Sequence, residues 1–307
     1  MTTTLMTDRC YLCVPDALVL SSGDLTTVFT GIAAINVSHA RITVPWSAVV
    51  TTPGSYSFGL LDTVVNTALS AGVTPLLCIA GSPPHWLPAP TATDYADLVT
   101  AVATRYQPGG PGVTIAGKGV VEYQIWNEPN AIENWTSGVA PGEYVAHLKA
   151  AHTAIKKVQP LATVIFAGLQ ACATEYSYYT TPQERLARDP NQITATLNLS
   201  PFSFLAQAYT AGAKGFFDVM AYHPLSLGTR QNPRPPAPNG AAFGESDQLR
   251  SMMVNQGDGA LPMYWTAVGY DTSVFSPAEQ ATYLDVVKWA AAVRPYVTAL
   301  GVYTYRD

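Results

Sequence analysis

Eight short, nearly continuous apolar runs separated by longer amphipathic stretches constrain this chain more than any other feature. They fall at residues 10–14, 39–44, 73–79, 121–126, 163–168, 217–221, 262–266 and 299–303. Strands covered on both faces read as unbroken Val, Ile, Leu and Ala, as in TPLLCIA and ATVIFAG, and strands alternating with helical stretches form parallel sheets with crossover helices. Eight such units predict a (β/α)8 TIM barrel, one domain over residues 1–307, a length that barrels of this kind routinely fill.

The intervening stretches carry helix signals. Ser276-Pro277-Ala278-Glu279 offers an N-cap serine, a proline at the first helical position and a glutamate to close a capping box, so a helix is expected to about Val293. Residues 141–158 place Tyr144, Leu148, Ala151 and Ile155 on one face and stop before Pro160. Residues 24–35, 58–69 and 94–106 read in the same way. Two long polar loops, 172–199 and 225–242, follow strands and are expected to wall a cleft at the C-terminal face, where barrels build their active sites. The sequence stops at Asp307, directly after the eighth run. An eighth helix is therefore missing from it, which predicts a longer parent protein.

Charge excludes several classes of partner. The 16 Lys and Arg are scattered and the formal net charge is −5, so no basic patch exists for nucleic acid or anionic membrane. No apolar stretch approaches the roughly 20 residues of a membrane span, and the first 13 residues lack a signal-peptide pattern. A mature module, or a protein leaving the cell by another route such as a virus particle, fits better than a cytoplasmic one. Of the four cysteines, Cys10 and Cys13 form a C-x-x-C inside a predicted strand with no second pair, which predicts buried free thiols with Cys78 and Cys172. No cofactor or metal is expected.

The chemistry concentrates at strand ends. Ile125-Trp126-Asn127-Glu128-Pro129-Asn130 closes the fourth strand, so the Glu128 carboxyl projects over the barrel mouth beside Asn127, a hydrogen-bonding partner for a sugar hydroxyl. With this motif the chain resembles glycoside hydrolase clan A, the retaining barrel glycosidases, and is most similar in flavour to family 39, where W-N-E-P-N is typical. The resemblance implies Glu128 as acid/base and a nucleophilic glutamate at the end of the seventh strand, the two carboxyls lying about 5 Å apart. Here that strand reads Tyr264-Trp265-Thr266-Ala267-Val268-Gly269-Tyr270, with Ala267 where the glutamate is implied.

Three explanations stand for Ala267: an engineered Glu-to-Ala exchange, a natural loss that leaves a sugar-binding protein, or a carboxylate supplied from Asp271 or Glu175, whose spacings fit poorly. Around it the resemblance implies further substrate contacts. Arg41 matches the strand-two arginine that lowers the nucleophile's pKa, and His85 and Trp86 match a Pro-Pro-Trp segment bordering the sugar. Tyr222 and His223 match a Tyr-His-Pro pattern after strand six, and Tyr270 follows the nucleophile position. Tyr303 falls where clan members place a tryptophan, and Trp135 either adds a stacking face or anchors its loop. His39, His147 and His152 read as structural. The expected function is a retaining glycoside hydrolase acting on an oligosaccharide or polysaccharide, nearly inactive as written, with carbohydrate as the partner. A natural non-catalytic carbohydrate-binding barrel is the alternative, and a metal-dependent hydrolase is disfavoured because only His85, His223 and Glu128 converge as ligands.

Overall fold

The computed structural model of the chain describes residues 9–87, 89–135, 138–171, 198–224, 241–270, 272–273 and 275–305. The barrel strands are β1 (Cys10–Val14), β2 (His39–Pro45), β3 (Thr74–Ala80), β4 (Glu122–Ile125), β5 (Thr163–Ile165, resumed by Leu169–Gln170), β6 (Met220–His223), β7 (Met263–Val268) and β8 (Val297–Val302). Between them run α1 (Ser22–Ala34), α2 (Gly59–Ser70), α3 (Ala92–Tyr106), α4 (Pro141–Val158), α5 (Pro201–Thr210), α6 (Ala241–Asn255) and α7 (Pro277–Ala292). After β2 comes a one-turn helix, Trp46–Val49, and a small hairpin of Val50–Thr52 and Ser55–Tyr56.

All pairings in the large sheet are parallel, and its nine segments run β5, β4, β3, β2, β1, β8, β7, β6 and back to the second half of β5. The first half of β5 also meets the strand beyond it. Ile165 bridges Val219, Phe166 N–H donates to Val219 O at 2.9 Å and Asp218 N–H donates to Val164 O at 2.8 Å. The sheet thus closes on itself as a (β/α)8 barrel.

The interruption of β5 at Phe166-Ala167-Gly168 is a departure from the continuous run expected there. The Ala167 N–H leaves the ladder and donates to the Tyr144 hydroxyl at 2.8 Å, while Gly168 bridges Asn127. Strand β6 sits further along the chain than its apolar residues suggest and ends with His223 inside the ladder. The helix signals act as written. Ser276 and Glu279 complete a capping box on α7, Thr91 and Asp94 complete another on α3, and Pro141 and Pro201 occupy first-turn positions where no N–H is needed.

Side chains fill the barrel rather than leaving a pore. Tyr11, Leu76, Ile165, Val219, Ala221, Tyr264 and Ala299 form the inner cluster, each at most 3% exposed. At the start of the strands Glu122 accepts from Arg9 Nη1 at 3.2 Å and from the Tyr11 hydroxyl at 2.7 Å, closing the floor. The larger cluster between sheet and helices includes Phe29, Leu98, Tyr144, Phe204 and Trp265. Complete burial of each Leu, Phe or Val there stabilises by about 1.5–3 kcal/mol, so this layer holds the strand ends, and with them the rim, in fixed register.

Candidate active site at the C-terminal rim

Beyond Ile125 the backbone turns through two non-glycine residues in the left-handed region, Trp126 (φ 72°) and Glu128 (φ 48°). Such conformations cost on the order of 1–3 kcal/mol each and persist only where neighbours dictate them. Here Trp126 N–H donates to Ile79 O, Glu128 N–H to Gly168 O and Ala131 N–H to Glu128 O, each at 3.0 Å. As a result three consecutive residues, Trp126, Asn127 and Glu128, line one cavity of about 490 Å³, where a regular strand would turn every second one away.

Arg41 rises from β2 under this rim, 3% exposed. It donates to Asn127 Oδ1 at 2.6 Å, to Gln124 Oε1 at 3.0 Å and to the Cys78 sulfur at 3.2 Å. Burial works against its charge, but the neighbouring Cys78, Cys13 and Glu128 outweigh that and raise its pKa. Gln124 in turn donates to Trp126 O at 3.0 Å, so the guanidinium and the left-handed turn brace one another.

The Glu128 side chain, 14% exposed, is held at both oxygens. Oε1 lies 2.6 Å from His223 Nδ1, and Oε2 accepts from Asn134 Nδ2 at 3.3 Å. His223 Nε2 lies 3.0 Å from Thr266 Oγ1. Burial alone would raise the Glu128 pKa, yet the hydrogen bond and charge of His223, the Arg41 charge and the Asn134 bond hold it below the usual glutamate value. The His223 pKa is lowered by burial, against the pull of Glu128 and with the help of Arg41. A carboxylate facing a neutral imidazole therefore describes the pair near neutral pH.

Ala267 stands across the same cavity on β7, 4% exposed. The pairing of β7 with β8 shifts register between Trp265 and Val268, an irregularity of the kind that lets two successive residues face one side of a strand. That is how Thr266 reaches His223 while Ala267 still borders the cavity. Its methyl group supplies no acid, base or nucleophile.

Arg41, Asn127, Glu128, His223, Ala267 and Tyr303 all border the cavity, and Tyr303 is 46% exposed there. The remaining candidates do not. Tyr222 points away from the barrel axis, fully buried, and donates to Glu245 Oε2 at 2.5 Å. Tyr270 is buried against Phe275 and Tyr283. Trp135 is buried, packs on Trp126 and donates to Glu143 Oε2 at 3.1 Å, so it anchors its loop and offers no stacking face. Trp86 packs on the core and ties to the hairpin through Thr51 O at 3.2 Å, while His85 is exposed outside the cavity. Asp271, Glu175 and most of both long loops lie outside the described residues.

Several contributors carried no readable signal in the sequence. Asn134 lies six residues past Glu128 in a 3-10 turn, and only the fold of that turn brings it back. Glu133 and Ser82 also border the cavity. Thr43, two residues beyond Arg41 on the same strand, was findable from the two-residue period. Among the described residues no group of three His, Cys, Asp or Glu is placed to hold a metal ion, and no helix is long and apolar enough to cross a membrane.

No family model matches the sequence, and no curated protein matches it. Solved structures do match in fold. A family 39 glycoside hydrolase from the gut symbiont Bacteroides cellulosilyticus superposes with a TM-score of 0.64 at 18% identity, over 97% of this chain and 57% of that one. A glucosidase from Croceicoccus marinus gives 0.61 at 17%, over 98% and 60%. A family 39 β-xylosidase from Caulobacter crescentus gives 0.62 at 16%, over 97% and 62%. The chain thus spans less than two thirds of the length of these proteins. At such identities the likeness is one of architecture, and the chain has the (β/α)8 barrel fold that these glycosidases share.

Proposed function

We propose that the chain is a carbohydrate-active barrel of the retaining glycoside hydrolase type, with Glu128 as its acid/base and Ala267 at the nucleophile position. In this form it binds a glycoside without turning it over. The reading is carried by one observation: Glu128 and Ala267 border the same rim cavity, with Arg41 and Asn127 beside them. The family resemblance of the strand-four motif and the fold of the neighbours support it.

With a carboxylate at 267 the mechanism is double displacement. That carboxylate attacks the anomeric carbon, Glu128 protonates the departing oxygen, and water then attacks with Glu128 as base. Glu128 must begin protonated, and a second carboxylate nearby would raise its pKa toward that state. Alanine at 267 removes both the nucleophile and this influence.

The ionised Glu128 of the present chain suits acceptance of a hydrogen bond rather than donation of a proton. That state favours a second reading, a natural carbohydrate-binding barrel. Ala267→Glu, assayed on aryl glycosides and cell-wall polysaccharides, separates the two. Hydrolysis gained by several orders of magnitude, with retained anomeric configuration, supports the glycosidase. Absence of hydrolysis on every substrate, with sugar binding intact, leaves the binding barrel.

A further inference from the structure

We propose that Glu133 and Asn134 form a leaving-group subsite that binds the hydroxyls of a second sugar, so that the ligand of the cavity is a disaccharide or longer glycan. The inference rests on the reading of Glu128 as acid/base and deepens it by laying the sugar chain across that carboxyl.

Glu128 and Ala267 set the direction in which a leaving group departs. Glu128 Oε1 lies 2.6 Å from the imidazole of His223, which is 1% exposed, so Oε2 is the oxygen left to meet the glycosidic oxygen. Ala267, at the position of the attacking group, borders the cavity from β7. In a displacement the attacking and leaving groups lie on opposite sides of the anomeric carbon. The departing sugar therefore extends from Oε2 away from Ala267, toward the turn that follows β4. Glu133 and Asn134 belong to that turn and border the same cavity. An acid must come within about 3 Å of the oxygen it protonates, and the Asn134 amide lies 3.3 Å from Oε2. It is thus within reach of the hydroxyls that flank the glycosidic oxygen on the departing ring.

The turn holds the two residues in place before any ligand arrives. Ala131 N–H donates to Glu128 O at 3.0 Å, Asn134 N–H donates to Ala131 O at 3.1 Å, and Ile132 N–H donates to Asn198 Oδ1 at 2.8 Å. The Trp126 indole donates to Asn134 O at 2.8 Å. With both backbone groups of Asn134 engaged, its side chain is what faces the cavity. An amide carries one donor group and one acceptor group, so whichever way it is turned, one meets Oε2 and the other is left for a sugar hydroxyl. Glu133 is exposed beside it and supplies acceptor oxygens to further hydroxyls. Such fixed polar groups bind at a low cost in ordering. A glycoside with a methyl leaving group occupies the side bordered by Ala267 and Tyr303 and leaves the Asn134 amide to water.

The test is isothermal titration calorimetry of the chain as given with xylobiose, cellobiose and β-1,4-mannobiose, each beside its methyl β-monoglycoside. One disaccharide is expected to bind about tenfold or more tightly than its methyl partner, the scale of two added hydrogen bonds. In Asn134→Ala and in Glu133→Ala that advantage is expected to fall to about threefold or less. Circular dichroism checks the fold of both, and the exposed Glu133→Ala carries the test if Asn134→Ala fails to fold. A tenfold advantage kept in the folded variants overturns the proposal, as does a disaccharide that binds no better than its methyl partner. Either result leaves the carbohydrate reading standing, whereas failure of every sugar to bind removes that reading and the subsite with it.

Discussion

Gly168 and His223 are in such close apposition that a single methyl group at residue 168 would overlap the ring, with 2.0 Å between the added Cβ and Nε2. This contact explains why β5 breaks where it does: the strand carries no side chain at the point where the imidazole must pass. Gly168→Ala is accordingly expected to destabilise the fold by about 1–3 kcal/mol through overpacking and to displace His223 from Glu128. Urea denaturation followed by circular dichroism checks the first effect. A wild-type midpoint would show that the ring has room to move.

Acid should weaken the protein in two overlapping ranges. The His223 pKa is lowered from 6.5 in the folded chain, so below about 6.5 the unfolded chain binds a proton that the folded chain does not. Stability therefore falls as pH falls through this range. The Glu128 pKa is lowered from 4.5, and its contribution, present above that value, is lost as pH drops through the folded-state pKa. Thermal unfolding measured from pH 8 to pH 3 should show Tm declining in both ranges, and His223→Gln should flatten the upper one. A Tm of His223→Gln that follows the unsubstituted profile between pH 7 and pH 5 contradicts the assignment.

Arg41 donates to Asn127, Gln124 and the Cys78 sulfur, with Cys13 also beside it. Arg41→Met keeps the volume but abandons Asn127 Oδ1 and Gln124 Oε1, each at a cost of roughly 1–3 kcal/mol when left unpaired in a buried site. Chemical denaturation should register the sum, and sugar binding should weaken with it because Asn127 loses its anchor. Stability within 0.5 kcal/mol of the original, roughly the scatter of neutral surface exchanges, would show that other groups compensate.

Tyr303 borders the cavity together with the buried Trp126 and is itself half exposed, so its removal leaves little apolar core behind. Tyr303→Ala should weaken oligosaccharide affinity by about tenfold, a loss on the order of an aromatic contact, with little change in Tm. Tyr303→Trp should bind at least as tightly as the original. Isothermal titration calorimetry with a common oligosaccharide measures both, and unchanged affinity in the alanine protein would place the sugar elsewhere on the rim.

Much of the architecture was legible along the chain because barrel strands and their covering helices are written in local patterns. TPLLCIA and ATVIFAG are apolar without alternation because both faces are covered. Ser276-Pro277-Ala278-Glu279 states where its helix begins, since the Ser276 and Glu279 side chains bond the adjacent backbone, whereas the Thr91 cap starts α3 two residues before the expected Asp94. The place of Glu128 at the end of the fourth run followed from the same counting, whereas Arg41, His223 and Ala267 were singled out by the family resemblance.

Tertiary structure alone decided which strand-end side chains share the cavity. Tyr222 and His223 are neighbours in sequence, yet one turns outward to Glu245 and the other inward to Glu128, an outcome of the strand's two-residue period and its exact register. Trp135 and Asn134 are likewise adjacent, and the 3-10 turn buries the indole while returning the amide to Glu128. The partnership of Glu128, His223, Thr266 and Gly168 joins four strand ends separated by as many as 138 residues, counting from 128 to 266. Local propensity determined the eight repeated units, because it depends on neighbours in the chain. Closure of the barrel determined the site, because only closure brings those ends within hydrogen-bonding distance.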